Sequence, residues 1–360
     1  MTKCKQSVYK RLYQVPVVIL AFVLTACATI KPRDTASQID TYLTDLENNR
    51  AFSGAVLIAR DGEVLLSKGY GMADVENQIP NTPQTHFRIS WLTAQFTSMA
   101  VTQLQADGKL DVQDNICEYI PDCPDYWGEI TLHHLLTHTS GVADEKKPWE
   151  SEADKPKTGL ARVEYIKGVA PYFLPGEQLK YSENGYVILG AIIEEVRCQP
   201  YDEYLKVNIF EPLGMKNTGF KGENIAVGYG PTGTKVPEPD ILFRYSATGL
   251  YSTVEDLYLW DQALYGEELL PQEYLDLMFT GYALTPSVDF PGAKYGYGWF
   301  IHNMLDRRLI FHGGGMSGYS SGIMRFPDEK VFIIVLRNYE LQVYDRLEIE
   351  LAKIVFGENE

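Results

Sequence analysis

The sequence lacks the features that mark several large classes of protein. Its 32 basic residues are outnumbered by 48 acidic ones, and no basic stripe offsets the net charge of −16. Such a chain repels phosphate backbones, so nucleic acid is not an expected partner. The five cysteines and six histidines show no zinc-ligand spacing, and the sequence predicts no metal. There are no internal repeats or low-complexity segments, and beyond the N-terminal region no apolar run is long enough to cross a membrane.

The N-terminal segment 1–26 has the parts of a secretion signal. Four basic residues between positions 3 and 11 precede an apolar run over 15–24, which is short for a transmembrane helix. The run ends in Leu24-Thr-Ala-Cys27, which resembles a bacterial lipobox and implies cleavage before Cys27 and lipidation of that residue. A signal peptide followed by a chance cysteine is the alternative. The lipoprotein interpretation predicts a lipidated tether over 27–37 and an envelope protein anchored on the periplasmic or outer-surface side of a bacterial membrane.

The remaining chain, 38–360, is predicted to form one α+β domain. Two β-rich runs flank Asp61-Gly62, a pair typical of hairpin turns. Apolar periodicity predicts helices over 37–49, 93–107, from Ile130, over 186–197 and at the C-terminus, strands over 309–311, 321–326 and 331–336, and a charged loop over 144–160. Strands at both ends predict an antiparallel sheet from about 38–85 and 290–360, flanked by helices, with a mostly helical region inserted over about 86–289.

The cysteines fit an oxidising compartment. Cys117 and Cys123 are close together in a Pro-containing segment and could form a local disulfide, although two free thiols are an equal alternative. Cys198 follows an apolar helix pattern and is interpreted as an inert thiol.

Seven stretches between Phe52 and Asn338 carry a resemblance to a known family. They are Phe52-Ser-Gly-Ala-Val-Leu-Ile-Ala-Arg-Asp-Gly62, Pro80-Asn-Thr-Pro83, Leu135-Leu-Thr-His-Thr-Ser-Gly141, Pro175-Gly-Glu177, Ile209-Phe-Glu-Pro-Leu-Gly-Met215, Gly249-Leu-Tyr-Ser-Thr-Val-Glu-Asp256 and His312-Gly-Gly-Gly315. In this order they resemble the β-lactamase-related serine hydrolases, which include class C β-lactamases, penicillin-binding proteins with DD-peptidase activity and related esterases. The resemblance implies the fold of that family and no cofactor.

The same resemblance implies a chemistry. In the family a serine attacks a carbonyl carbon, and a lysine one helical turn later, in Ser-x-x-Lys, helps to move its proton. This chain has Phe87-Arg-Ile-Ser-Trp-Leu-Thr-Ala-Gln-Phe-Thr97 where the family has Phe-Arg-Ile-Gly-Ser-x-Thr-Lys-Gln-Phe-Thr. The flanks match without a gap, so the nucleophile position falls on Trp91 and the lysine position on Ala94. Neither side chain can perform the covalent step. The indole of Trp91 would either fill the space of the lost lysine, the favoured reading, or offer a ligand an aromatic platform.

The other family positions are partly retained. Tyr181 keeps the tyrosine of the Tyr-x-Asn loop, whereas Glu183 stands where the family has asparagine. His312 keeps the His-x-Gly strand, which implies that the backbone at Gly314 and Gly315 lines the pocket and its oxyanion hole. Tyr181 and His312 are therefore the retained catalytic positions. A structural interpretation is open for both, including a pairing of His312 with Glu183.

Other candidate nucleophiles and literal motif matches are weaker. Ser7-Val-Tyr-Lys10 lies in the signal segment, and Lys157-Thr-Gly159 lies in the charged loop before the tyrosine motif. Ser90 is one position early, which rotates a helical side chain by about 100°. Thr93 is two positions late, and neither Ser182 nor Ser317 has a lysine one turn later.

Three functions stay open. The first, which we favour, is a catalytically impaired pseudoenzyme that binds a peptidoglycan-derived peptide, a β-lactam-like ligand or an envelope protein. The second is a hydrolase that uses a non-standard group, such as Tyr181 with Glu183 activating water. The third is an interaction scaffold with a vestigial pocket.

Overall fold

An eight-stranded antiparallel sheet is the framework of the molecule. The computed structural model describes residues 34–144, 155–339 and 347–358, so the predicted signal segment, Cys27 and most of the tether lie outside the described residues. The sheet has the order β2-β1-β12-β11-β10-β9-β8-β7. The described strands are β1 Gly54–Arg60, β2 Glu63–Tyr70, β3 Met72–Asp74, β4 Ile79–Pro80, β5 Phe87–Arg88, β6 Tyr251–Ser252, β7 Ala283–Leu284, β8 Lys294–Tyr295, β9 Phe300–Met304, β10 Arg307–Met316, β11 Tyr319–Phe326 and β12 Val331–Arg337.

Helices cover both faces of this sheet. They are α1 Thr35–Asn48, α2 Thr93–Ala106, α3 Leu132–Leu136, α4 Gly159–Ile166, α5 Glu183–Arg197, α6 Tyr201–Leu205, α7 Glu211–Leu213, α8 Tyr245–Thr248, α9 Val254–Ala263, α10 Gln272–Met278 and α11 Leu347–Phe356. None of the described helices is long and apolar enough to cross a membrane.

Two apolar cores lie on opposite faces of the sheet. Alternate residues of β1 point to opposite sides, as in any strand. Val56 and Ile58 therefore join a core with α1 and α11, whereas Ala55 and Leu57 join the larger core of the helical region. The predicted hairpin turn is also present, with positive φ at Asp61 (53°) and Gly62 (80°), as a tight two-residue turn requires. The α+β fold class predicted from the sequence is confirmed.

Several predicted boundaries move. Helix α1 begins at Thr35, inside the predicted tether, because Asp34 caps it through Ser37 N. Strand β7 belongs to the sheet although it lies inside the predicted helical region 86–289, since a two-residue strand leaves no periodic signal. Within the predicted charged loop, positions 145–154 lie outside the described residues. Helix α4 begins at Gly159 behind the Thr158 cap, so Lys157-Thr-Gly159 is a helix start.

The described structure contains a disulfide and a buried ion pair. Cys117 and Cys123 are joined by a disulfide, and Cys198 is exposed at the left-handed C-cap of α5. Between α9 and β11, Asp261 and Arg325 form an ion pair in which both side chains are almost fully buried.

Candidate active site

The turn that precedes α2 places Trp91 against strand β10. Ser90 adopts a left-handed conformation, with φ 49°, and its hydroxyl donates to the carbonyl oxygen of Gly315 at 2.9 Å. A Cβ at Gly314 would lie 2.6 Å from the carbonyl oxygen of Ile89 and 3.1 Å from the backbone nitrogen of Trp91. Only glycine allows the strand and the turn to approach so closely. A Cβ at Gly315 would meet open space. The predicted pocket backbone thus lies beside the position that the family motif assigns to the nucleophile.

Trp91 is held by a carboxylate and an aromatic ring. Its indole Nε1 donates to Glu183 Oε1 at 2.5 Å, and its ring lies 5.0 Å from that of Tyr181 between centroids. Arg244, which sequence reasoning missed, forms an ion pair with the other carboxylate oxygen of Glu183. Burial raises the pKa of Glu183, while the charge of Arg244 and the Trp91 hydrogen bond oppose that shift. No family motif includes Arg244, so the sequence carried no signal for it.

The position assigned to the catalytic lysine is closed. Ala94 is 1% exposed and lies in the second position of α2. Trp91 and Ala94 are three positions apart, a spacing that places side chains on one helical face. The structure therefore brings the two substituted positions together at one end of α2, and neither supplies an oxygen or nitrogen for a covalent step.

The retained residues form a hydrogen-bonded aromatic cluster. The ring of Tyr295 lies edge-on to that of Tyr181, with centroids 6.0 Å apart, and its hydroxyl lies 3.1 Å from His312 Nε2. His312 Nδ1 lies 2.7 Å from the carbonyl oxygen of Gly313, which can only accept, so Nδ1 carries the proton and Nε2 accepts from Tyr295. Burial lowers the pKa of His312 to about 4, which keeps the ring neutral at pH 7. The suggested pairing of His312 with Glu183 is wrong, because Glu183 bonds to Trp91 and Arg244 instead.

His138 is a second site residue that the sequence reasoning did not select. Its ring lies 3.9 Å from the Tyr181 ring between centroids, and Nδ1 accepts from the backbone nitrogen of Ser182. Burial lowers its pKa well below the usual value, so it too is neutral. The signal was available, because His138 is the histidine of the Leu135–Gly141 motif.

None of the alternative nucleophiles in the described part of the chain is placed beside the retained family residues with a base to activate it. Ser182 caps α5 and donates to Asp144 Oδ1 at 3.1 Å. Thr93 is fully buried and its hydroxyl oxygen accepts from the backbone nitrogen of Leu250. Ser317 is exposed in the turn between β10 and β11. Among the described residues, no group of three or more histidine, cysteine, aspartate or glutamate side chains is arranged to hold a metal ion.

Substitution of Ser90 tests how the turn is held. Ser90→Ala removes the hydrogen bond to Gly315 and keeps the strained φ, so we expect a loss of about 1–2 kcal/mol in the free energy of unfolding. Ser90→Gly removes the same bond but relieves the strain, and the loss is expected to be smaller. Urea unfolding measures both, with Ser317→Ala as an exposed control near zero. A glycine variant less stable than the alanine variant would contradict the strain assignment.

The comparisons with known proteins agree with this geometry. The Beta-lactamase family model matches residues 39–354. Protein flp of Staphylococcus aureus (strain MW2) is 30% identical over 87% of this chain, which spans 65% of that relative's length. Penicillin-binding protein 4* of Bacillus subtilis (strain 168) is 28% identical over 89% of this chain and 76% of its own length.

Solved structures give the same assignment. The octameric penicillin-binding protein homologue from Pyrococcus abyssi superposes with a TM-score of 0.80 at 29% identity, over 90% of this chain and 78% of that one. The β-lactamase/D-alanine carboxypeptidase from Pseudomonas syringae has a TM-score of 0.78 at 20% identity, over 91% and 99% of the two chains, and supports the fold alone. With the family model matched over most of its length, the chain belongs to the β-lactamase family.

Proposed function

We propose that this protein is a lipid-anchored envelope pseudoenzyme that binds a peptide, a cell-wall fragment or a protein partner in the family cleft without covalent turnover. One observation carries the proposal: the position of the attacking serine holds Trp91, whose indole is hydrogen-bonded to Glu183. An indole nitrogen is a donor only, so it has no lone pair with which to attack a carbonyl.

The surrounding groups do not replace the lost chemistry. The methyl group of Ala94 cannot move a proton, and the hydroxyl of Ser90 is directed to Gly315. Glu183 is engaged by Trp91 and Arg244, which leaves it poorly placed to activate water with Tyr181. Catalytic groups that act together lose nearly all of their effect when one is removed. The retained Tyr181 and His312 therefore support binding and packing rather than catalysis.

The anchoring part of the proposal rests on the sequence. The basic segment, the apolar run and Leu24-Thr-Ala-Cys27 stand in the order that lipoprotein processing requires. The binding part rests on the family. The relatives from Bacillus subtilis and Pyrococcus abyssi are named as penicillin-binding proteins, and a cleft backbone that remains open at Gly315 supports a related ligand here.

Covalent labelling tests the proposal directly. We expect that the native chain forms no covalent adduct with a fluorescent penicillin or a fluorophosphonate, so its intact mass stays unchanged. The triple variant Trp91→Ser, Ala94→Lys, Glu183→Asn restores the family side chains, and adduct formation is expected to rise by about 10²-fold or more over the native chain. Intact-mass spectrometry and in-gel fluorescence provide the readouts.

A matched variant identifies the reacting group. Trp91→Ala with Ala94→Lys and Glu183→Asn opens the same space but lacks the hydroxyl, so it is expected to remain unlabelled. Circular dichroism establishes that each variant is folded. A stoichiometric adduct on the native chain would overturn the pseudoenzyme proposal, and peptide mapping would name the nucleophile.

A further inference from the structure

A second concave site lies outside the cleft that contains Trp91. It has a volume of about 630 Å³, within the range of sites that hold small molecules. Its walls come from α3 and the loop after it, from segment 176–179, and from Tyr282 with strand β7. The described lining shares no residue with the Trp91, Glu183 and Arg244 group. Family motifs placed residues on two of these walls but assigned no role to the cavity.

One wall is aromatic. The ring of Tyr282 stacks on Tyr297 at 4.9 Å with an interplanar angle of 18°, and it meets the ring of His133 edge-on at 4.8 Å. The hydroxyl of Tyr297 lies 2.8 Å from His133 Nδ1, which fixes the imidazole against the wall. At the rim, Leu284 is 65% exposed. This wall therefore offers a ligand a rigid apolar face with little conformational entropy left to lose.

The polar groups of the cavity can both accept and donate hydrogen bonds. The hydroxyl of Thr137 donates to the carbonyl oxygen of His133, so the Thr139 hydroxyl donates to Thr137, and both oxygens keep acceptor capacity. The hydroxyl of Tyr282 donates to the carbonyl oxygen of Leu277. Among the described residues, His133 Nε2 has no hydrogen-bond partner. His134 Nδ1 accepts from the backbone nitrogen of Thr131, so in the neutral ring Nε2 carries the proton and can donate to a ligand. The lining thus offers several acceptors together with a donor.

The charges of the lining disfavour an anionic ligand. Burial lowers the pKa of His133 and of His134, so both rings are neutral at pH 7. Glu177 contributes a carboxylate, and the described residues that line the cavity include no lysine or arginine. A phosphate, sulfate or carboxylate ligand would meet no positive charge here. A ligand with an apolar face, no negative charge and hydroxyl groups that both donate and accept is complementary to this lining.

We propose that this cavity binds a neutral or amine-bearing oligosaccharide, with the C–H face of one sugar ring on Tyr282 and hydroxyl groups donating to Thr139 and Glu177. A pyranose ring has both the apolar face and the donor hydroxyls that the lining matches. The proposal does not depend on the loss of catalysis at Trp91.

Titration of the full chain, purified in detergent, tests the site. The probes are N-acetylated chitotriose, its deacetylated trimer and trigalacturonate, followed by saturation-transfer NMR and calorimetry. We expect the first two to bind with dissociation constants of about 10 mM or below, and the acidic trimer to bind at least about tenfold more weakly. If neither non-acidic trimer binds at concentrations up to about 10 mM, the proposal is overturned.

Variants locate the binding. Tyr282→Leu and Glu177→Gln are each expected to weaken binding by about fivefold or more. Glu273→Gln, at an exposed residue of α10 outside the cavity, is expected to leave it unchanged. Circular dichroism establishes whether the Tyr282 variant is folded. If it is not, the variant at the exposed Glu177 still tests the proposal. Binding that survives both cavity substitutions would place the sugar elsewhere and overturn the assignment. Spermidine serves as an amine without a sugar ring. Binding of spermidine without binding of any saccharide would also overturn the proposal.

Discussion

Replacement of Asp261 with alanine is expected to lower the free energy of unfolding by about 3–5 kcal/mol. Arg325 is 1% exposed and its guanidinium lies near the rings of Tyr265, Phe279 and Trp299. Without the carboxylate of Asp261, the guanidinium would stay buried among these rings without a countercharge, and its hydrogen bond to the backbone oxygen of residue 261 would not neutralise it. Urea unfolding followed by tryptophan fluorescence measures the change.

Two controls separate the cost of leaving Arg325 buried without a countercharge from the cost of losing an ion pair. Glu350→Ala breaks the partly exposed ion pair with Lys353 and is expected to change stability by less than about 1 kcal/mol. The double variant Asp261→Leu, Arg325→Met removes both charges, and it is expected to recover most of the loss. A cost below about 1 kcal/mol for Asp261→Ala would mean that water reaches Arg325 and would contradict the burial described here.

Acidification from pH 7 to pH 4 is expected to remove about 3 kcal/mol of stability through His312 alone. Burial holds its native pKa at about 4, below the ordinary value of 6.5, so between these values the unfolded chain binds a proton that the native chain does not. The contribution of His312 is fully present above pH 6.5 and is lost as the pH falls. His138, whose pKa is also lowered, acts in the same direction.

The variant His312→Asn separates the pH-dependent stability contributed by His312 from that contributed by the carboxyl groups. Burial raises the pKa of Glu183, Asp256 and Asp261, so their contributions are present at low pH and decrease as the pH rises. His312→Asn keeps a donor for Gly313 and does not titrate. The stability difference between the native chain and this variant should therefore shrink by about 3 kcal/mol from pH 7 to pH 4. His302→Asn, at a less buried histidine, is the control, and an unchanged difference for His312→Asn would contradict the neutral assignment.

The fold was largely predictable because its elements are long and periodic. The β1–β2 hairpin, α2, β11, β12 and α11 each follow an apolar pattern that predicts their type. Strand β7 was missed because a two-residue strand is defined by its pairing with β8 and by nothing local. The start of α1 was misplaced because the pattern marks the apolar face, whereas Asp34 sets the boundary.

The candidate site was predictable only where the family motif reaches. The motif located Trp91, Ala94, Tyr181, Glu183 and His312, and the structure brings the rings and carboxylate among them together. It gave no indication of Arg244, because an ion pair between the residue that precedes α8 and the first residue of α5 depends on tertiary packing. The motif also gave no indication of Tyr295, the hydrogen-bond partner of His312, because Tyr295 belongs to no motif. Lipidation at Cys27 and the pseudoenzyme assignment stay predictions.

The pairing of β1 has a consequence for how the molecule is made. Strand β1 lies between β2 and β12, and its first residue, Gly54, pairs with Arg337, which is far away in sequence. A central contact of such high sequence separation gives the fold a high contact order, which slows folding. A chain that emerges N-terminus first keeps one edge of β1 unpaired until β12 is released. That edge is a template for aggregation, so the nascent chain needs protection until β12 has been synthesised.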